Sequence, residues 1–113
     1  MGKHIDVVSG KWTETASAIG SNVDSFYEYL LKGYELFDDE PLWFMFMDQY
    51  NSVHTYQKYN DWYQQVDMNS GKSKSRDFEN LAAFWPGLET DIGHVDDACG
   101  NLNALHYLWN QNR

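Results

Sequence analysis

Three carboxylates in the first third of the chain are the residues whose types and spacing could do chemistry. Asp24, Glu28 and Glu35 lie in a stretch with helical periodicity. At about 100° per residue, the three positions fall within about 40° of one another, so their carboxylates form one stripe along a helix. Two acids on one face could divide acid and base work on a glycoside, or accept hydrogen bonds from sugar hydroxyls.

The same stripe also has a purely structural interpretation. Asp24 would be a first-turn acid favoured by the helix dipole. Glu28 and Lys32 would form an i,i+4 surface pair, which contributes about 0.2–0.5 kcal/mol. Spacing alone favours this solvated face over a catalytic one.

The remaining candidates carry a weaker signal. The four histidines are not spaced as metal ligands; they are His4, His54, His94 and His106. Cys99 is predicted to lie on the apolar stripe of the last helix and to behave as a small hydrophobic residue. Most tryptophans at helical spacing are core residues, but Trp85, beside a Pro-Gly break, is the ring predicted at the rim of a sugar pocket. The sequence therefore predicts no metal site within these residues.

The elements that must position these groups are mainly helical. Hydrophobic periodicity and turn residues predict a helix over 22–37, opened by a Ser21/Asp24 capping box, and a second helix from Pro41 to Gln57. They then predict a short hairpin over 61–77, a helix from Phe78 that Pro86 breaks or kinks, and a last helix from about His94. Residues 1–19 are predicted to be irregular or extended. The predicted fold class is all-α, with antiparallel helix pairs and a short β-hairpin in one segment over 1–113.

The second and the last helix have different predicted apolar surfaces. The segment 42–47 of the second helix is apolar on all sides, which predicts burial on more than one side. The last helix has an apolar stripe at three- and four-residue steps, formed by Val95, Ala98, Leu102, Leu105 and Trp109. Three neighbouring helices would not cover the second helix fully, so the chain is expected to belong to something larger.

Charge excludes some classes of partner. The 113 residues include 17 acidic and 8 basic side chains, which gives a net charge of −9. Such a surface repels phosphate backbones and anionic lipid head groups, so a nucleic-acid partner is not expected. The single cysteine leaves no intrachain disulfide within these residues.

Two sequence blocks carry a family resemblance. The segment Asp24-Ser-Phe-Tyr-Glu-Tyr-Leu-Leu-Lys32, preceded by Ile19-Gly20-Ser21, resembles the Asp-Ser-Tyr-Tyr-Glu-Tyr-Leu-Leu-Lys signature of the class I α-1,2-mannosidases, glycoside hydrolase family 47. The block Phe84-Trp-Pro-Gly-Leu88, with Ile92-Gly93 and Asp96, resembles the branch of ER degradation-enhancing α-mannosidase-like proteins.

The resemblance implies an (α/α)7 barrel that holds a mannose residue over a calcium ion and hydrolyses its linkage with inversion. Asp24 falls on one of the three carboxylates that the family uses in catalysis, and Glu28 falls on a sugar-binding acid. Asn22 stands where the trimming members carry an arginine, beside the sugar. Acids one helical turn apart have Cβ atoms about 5–6 Å apart, whereas an inverting pair stands about 6.5–9.5 Å apart. Asp24 and Glu28 are therefore not predicted to be the acid–base pair.

The resemblance also implies partners and a location. The substrate would be high-mannose N-glycans on misfolded glycoproteins in the endoplasmic reticulum lumen, either hydrolysed or only recognised. Calcium would be bound by ligands outside these residues. The remaining catalytic carboxylates would also lie elsewhere, so the chain is expected to be a fragment that needs the remainder of the barrel and is inactive alone. The alternative is a non-catalytic helical-hairpin interaction module or a lectin-like glycan-binding module.

Overall fold

The computed structural model describes residues 1–112. Its elements, in chain order, are β1 (His4–Ile5), β2 (Trp12–Glu14), β3 (Ala16–Ser17), α1 (Asp24–Phe37), α2 (Glu40–Tyr56), β4 (Lys58–Tyr59), β5 (Trp62–Tyr63), β6 (Gln65–Asp67), β7 (Ser73–Ser75), a 3-10 helix (Asn80–Phe84), α3 (Trp85–Asp91) and α4 (Val95–Gln111). The helical class and the positions of the main helices are confirmed. None of the helices within residues 1–112 is long and apolar enough to cross a membrane.

The strands form three small antiparallel sheets, which is more β-structure than one hairpin. β1 pairs with β2, β4 pairs with β5, and β3, β6 and β7 form a three-stranded sheet in that order. The predicted hairpin is confirmed in β6 and β7, whose connection contains Gly71 at a φ of 70°, in the left-handed region that glycine favours. The extended lead-in supplies β3, which pairs with β6 through Ala16 and Asp67. The hairpin therefore forms one sheet with the extended lead-in.

Helices α1 and α2 pack on each other as an antiparallel pair. Only two residues join them, and the first of these, the C-cap residue Asp38, has a φ of 53° that turns the chain back sharply. The two helices approach closely at Gly33, where an added Cβ would lie 2.7 Å from Leu42 Cδ1. The buried face of α1 is formed by Tyr27, Leu30 and Leu31. Phe37, in the last turn of α1, is 73% exposed.

The centre of the core is an aromatic group, the Trp85 cluster, formed by Tyr27, Tyr50, Tyr63 and Trp85. Trp85 is 0% exposed, and the ring centroids of Tyr27, Tyr50 and Tyr63 lie 5.5, 5.7 and 5.5 Å from its own. Separations of this size are typical of favourable aromatic pairs. The prediction that Trp85 lies at a pocket rim is wrong, because the ring has no exposed surface with which to contact a sugar.

Two features of the last third differ from their predictions. Pro86 lies in the first turn of α3 and so begins that helix, where a missing N–H leaves no hydrogen bond unmade.

The buried side of α4 is formed by Ala98 and Asn101, and Asn101 Nδ2 donates to the Asp61 carbonyl oxygen at 2.7 Å. The predicted stripe is therefore mostly outside: Trp109 is 67% exposed, and Cys99 is exposed rather than on a buried apolar face.

The end of the α1–α2 pair has a surface rich in large apolar side chains. The exposed residues there are Leu36, Phe37, Phe44 and Met45. Within residues 1–112, α2 buries only Phe46, Tyr50 and Val53. The expected burial of its first turns on several sides is therefore not reached by the residues that the structure describes.

Candidate functional site

The start of α1 is an ordered turn rather than a side-chain cap. The backbone N–H groups of Val23 and Asp24 donate to the Gly20 carbonyl oxygen at 3.1 and 3.0 Å. Asn22 has a φ of 75°, which asparagine tolerates better than most residues. The predicted capping box is wrong, because Val23 is the N-cap residue and no side-chain hydrogen bond caps the helix.

The structure brings three of the predicted site residues together at this helix start. Asn22 is exposed in the preceding turn, Asp24 begins α1, and Glu28 follows one turn later on the same face. Asp24 is half-buried, and within residues 1–112 its carboxylate makes no hydrogen bond or ion pair. This carboxylate is therefore available to a water molecule or to a ligand.

Glu28 has one partner, as the structural interpretation expected. Its Oε2 lies 3.7 Å from Lys32 Nζ, and the two side chains are 37% and 55% exposed. Ion pairs this exposed contribute little to stability, so the Glu28 carboxylate can exchange Lys32 for another partner at small cost. Glu35, the third acid of the stripe, is exposed.

A buried polar group that sequence reasoning missed lies beside the Trp85 cluster. Glu89 is 0% exposed, and its Oε1 accepts a hydrogen bond from the Tyr63 hydroxyl. His54 Nε2 lies 3.2 Å from the same hydroxyl and 3.5 Å from Glu89 Oε1. Glu89 Oε2 has no hydrogen-bond partner within the described residues. A carboxylate with no exposed surface cannot contact a sugar, so we interpret this group as structural.

The hydroxyls in this region are held in their neutral form. Desolvation, followed by the hydrogen bond to Glu89, raises the pKa of Tyr63 well above its usual range. Desolvation also raises the pKa of Tyr50, whose hydroxyl lies 2.7 Å from His94 Nδ1. The neutral Tyr63 hydroxyl donates to Glu89, and the neutral Tyr50 hydroxyl shares a hydrogen bond with His94. No local pattern in the sequence signals either contact.

Calcium, which the resemblance implies for the complete barrel, does not fit the residues present. Between residues 1 and 112, no group of three or more histidine, cysteine or acidic side chains is arranged to hold a metal ion. The acids near the start of α4 are dispersed, since Asp97 pairs with Lys58 while Asp91 and Asp96 are exposed. The described residues therefore offer separate carboxylates rather than a calcium site.

Comparisons with known proteins give one consistent result. The model of glycosyl hydrolase family 47 matches residues 1–102. ER degradation-enhancing alpha-mannosidase-like protein 2 of Homo sapiens is 39% identical over 98% of this chain. Alpha-mannosidase I MNS4 of Arabidopsis thaliana is 42% identical over 96% of it.

The share of each relative that is matched is small. The chain spans 19% of the human protein and 18% of the Arabidopsis protein. The family match nevertheless covers nearly all of this chain, and it contains the turn, the α1 carboxylates and the Trp85 block. On these grounds, the chain belongs to glycosyl hydrolase family 47.

Proposed function

We propose that the protein containing this segment is a mannosyl-oligosaccharide 1,2-α-mannosidase that acts on, or recognises, high-mannose N-glycans during degradation of misfolded glycoproteins from the endoplasmic reticulum. The match of family 47 over residues 1–102 carries this proposal. The names of the relatives support it, since they are an ER degradation-enhancing alpha-mannosidase-like protein and an alpha-mannosidase I. The helix pairs would then form one part of an (α/α)7 barrel, and the site would face the lumen of that compartment.

The start of α1 would contribute to the sugar site. Asp24 would serve as one catalytic carboxylate, because its side chain is partly accessible and has no partner among residues 1–112. Glu28 would accept hydrogen bonds from sugar hydroxyls in place of Lys32, and the Asn22 amide would contact the sugar from the turn. Asp24 and Glu28 lie one turn apart, which is shorter than the separation of about 6.5–9.5 Å that leaves room for water in an inverting pair. A second catalytic carboxylate would therefore come from another helix of the barrel.

Activity would require more than these residues. The calcium ligands and the partner carboxylates would lie in other parts of the barrel, and the segment alone would be inactive. The described residues would supply the α1 carboxylates and the packing that fixes their helix.

The decisive experiment replaces Asp24 in the longer protein. Asp24→Asn removes the negative charge with almost no change in shape, so we expect mannose release from a high-mannose glycan to fall by about 100-fold or more, with an unchanged circular dichroism spectrum. Asp96→Asn, at an exposed acid in the first turn of α4, is the matched control and should retain activity. Full turnover in Asp24→Asn would refute the catalytic assignment.

A lectin-like function is the second candidate. Its support is that the described residues of α1 hold an accessible stripe of acids, Asp24, Glu28 and Glu35, without a suitably spaced acid–base pair. In that case the longer protein would bind an immobilised high-mannose glycan without releasing mannose, and Glu28→Gln would weaken binding. Release of free mannose by the wild-type protein would exclude a purely lectin-like function.

A further inference from the structure

Glu79 contacts the turn that precedes α1 from a distant part of the chain. It lies just before the 3-10 helix, and its Oε2 accepts a hydrogen bond from the Ser21 backbone N–H at 2.7 Å. Its Oε1 accepts one from Lys3 Nζ at 3.1 Å, and the Lys3 side chain is only 10% exposed. One carboxylate thus joins the chain start, the α1 turn and the 3-10 helix.

Glu79 approaches the turn closely at position 20. A Cβ added to Gly20 would lie 2.5 Å from Glu79 Oε2 and 3.3 Å from Glu79 Cβ. A Cβ carbon does not lie 2.5 Å from a non-bonded oxygen, so a side chain at position 20 would push the carboxylate away from Ser21. The Gly20 turn and Glu79 therefore fit each other.

The turn connects the Glu79–Ser21 contact to Asn22 and Asp24 of the proposed site. Ser21 is followed by Asn22 in its left-handed conformation, and the Asp24 N–H donates to the Gly20 carbonyl oxygen. Loss of the Ser21 contact would leave the turn held by the two hydrogen bonds that the Val23 and Asp24 N–H groups donate to the Gly20 carbonyl oxygen. Since neither Asn22 nor Asp24 has a side-chain partner within the described residues, their directions depend on the backbone of this turn.

The charge state of Glu79 is suited to this contact. Burial by itself would raise its pKa, but the hydrogen bonds from Ser21 and Lys3 outweigh burial and leave the pKa below its ordinary value. At neutral pH the side chain is a carboxylate, and charge-assisted hydrogen bonds of this kind are stronger than neutral ones.

We propose that Glu79 is a positioning residue of the sugar site, which holds the turn at 20–22 so that Asn22 and Asp24 face the sugar in a fixed geometry. This role rests on the proposed function of Asp24. Misplacement of a reacting group by about 1 Å can cost about 100-fold in rate, so a residue that fixes the turn has a measurable effect without touching the substrate.

The test compares four variants in the longer protein. Glu79→Ala removes the acceptor of the Ser21 N–H, so kcat/KM for mannose release should fall about 10- to 100-fold. Glu79→Gln keeps an acceptor oxygen and should restore most of this loss. Gly20→Ala should lower kcat/KM although Glu79 is still present. Glu14→Ala is the matched control, since Glu14 also accepts a backbone N–H, from Ala16, but away from α1, and it should leave kcat/KM unchanged.

A second readout does not require turnover and can be made on the 113-residue chain. Hydrogen exchange of the Ser21 amide should be about tenfold faster in Glu79→Ala and close to wild type in Glu79→Gln, because only the alanine variant lacks an acceptor. Unchanged exchange in Glu79→Ala would overturn the proposal. If Glu79→Ala does not fold, the comparison of Gly20→Ala with wild type takes its place, and unchanged exchange and kcat/KM there overturn it equally.

The outcomes separate this inference from the proposed function. Loss of turnover in Asp24→Asn with wild-type kcat/KM in Glu79→Ala would overturn the positioning role alone. Full turnover in Asp24→Asn would overturn both. Equal losses of kcat/KM in Glu79→Ala and Glu14→Ala would show a general structural effect and also overturn the role of Glu79.

Discussion

The Trp85 cluster and the start of α1 use the same kinds of side chain in opposite ways. Beside the cluster, the buried Glu89 carboxylate pairs with the half-buried Tyr63 and His54 side chains, and the buried Tyr50 pairs with His94. At the start of α1, Asp24 has no partner among the described residues and Glu28 has one exposed partner. The buried carboxylate of Glu89 thus stabilises the core. The more accessible carboxylates of Asp24 and Glu28 are the ones that a ligand can contact.

Removal of the Trp85 ring from the core should give the largest change in the free energy of unfolding. Trp85→Ala leaves a large cavity beneath three tyrosines and should lower the free energy of unfolding by about 3–5 kcal/mol. Trp109→Ala is the matched control, because Trp109 is mostly exposed, and it should change stability by less than about 0.5 kcal/mol. Urea unfolding followed by far-ultraviolet circular dichroism measures both. Equal midpoints for the two variants would contradict a core centred on Trp85.

Removal of a carboxylate should lower the free energy of unfolding more in the core than at the start of α1. Glu89→Ala leaves the Tyr63 hydroxyl without its buried acceptor, which should cost about 1–3 kcal/mol. Asp24→Ala removes only a favourable charge from the first turn of α1, at a cost of about 0.3–1 kcal/mol. The same unfolding measurement compares them. A larger loss in Asp24→Ala would reverse the distinction between the two regions.

The backbone at the start of α1 offers a finer test. Asn22→Ala forces a Cβ without a compensating polar group into the left-handed region and should cost about 1 kcal/mol. Asn22→Gly should be close to neutral, because glycine adopts this conformation freely. The thermal unfolding midpoints of both variants give the difference. If alanine and glycine behave alike, the turn does not require its positive φ in solution.

The smallest expected effect is a pH dependence of the α1 turn. Because the pKa of Glu79 is lowered in the folded protein from 4.5, its contribution to stability is present above about pH 4.5 and is lost as the pH falls through the folded value. The difference in thermal midpoint between wild type and Glu79→Gln should therefore shrink between about pH 7 and about pH 3. A constant difference over this range would show that the Glu79 charge does not stabilise the turn.

The local sequence pattern predicted the positions of helices and turns better than it predicted which side of each helix is buried. Helix α1 was expected over 22–37 and is found at Asp24–Phe37, and the turn at Gly71 lies where turn residues indicated it. Periodicity identifies a helix, but the side that is buried depends on its partner. In α4 the packing against α3 and the hydrogen bond from Asn101 to the Asp61 carbonyl oxygen leave Ala98 and Asn101 buried, whereas Trp109 is exposed.

The candidate site shows the same limit. The family signature located Asp24 and Glu28, and both lie at one helix start as expected from their spacing. Trp85 was misplaced because a tryptophan beside Pro-Gly reads locally as a loop residue, whereas three tyrosines from other elements enclose it. Glu89 could not be found from its own neighbourhood, since its partners Tyr63 and His54 lie 26 and 35 positions earlier in the chain.

The contact between Tyr63 and Glu89 has a consequence for the order of folding. Strands β4 and β5 contain two residues each, and hairpins of that size are not stable alone in water. The Tyr63 hydroxyl can donate to Glu89 only after α3 has packed beside α2. This packing requires the closure of a long loop. The β4–β5 hairpin should therefore form late, and Tyr63→Phe should accelerate unfolding while leaving the refolding rate almost unchanged.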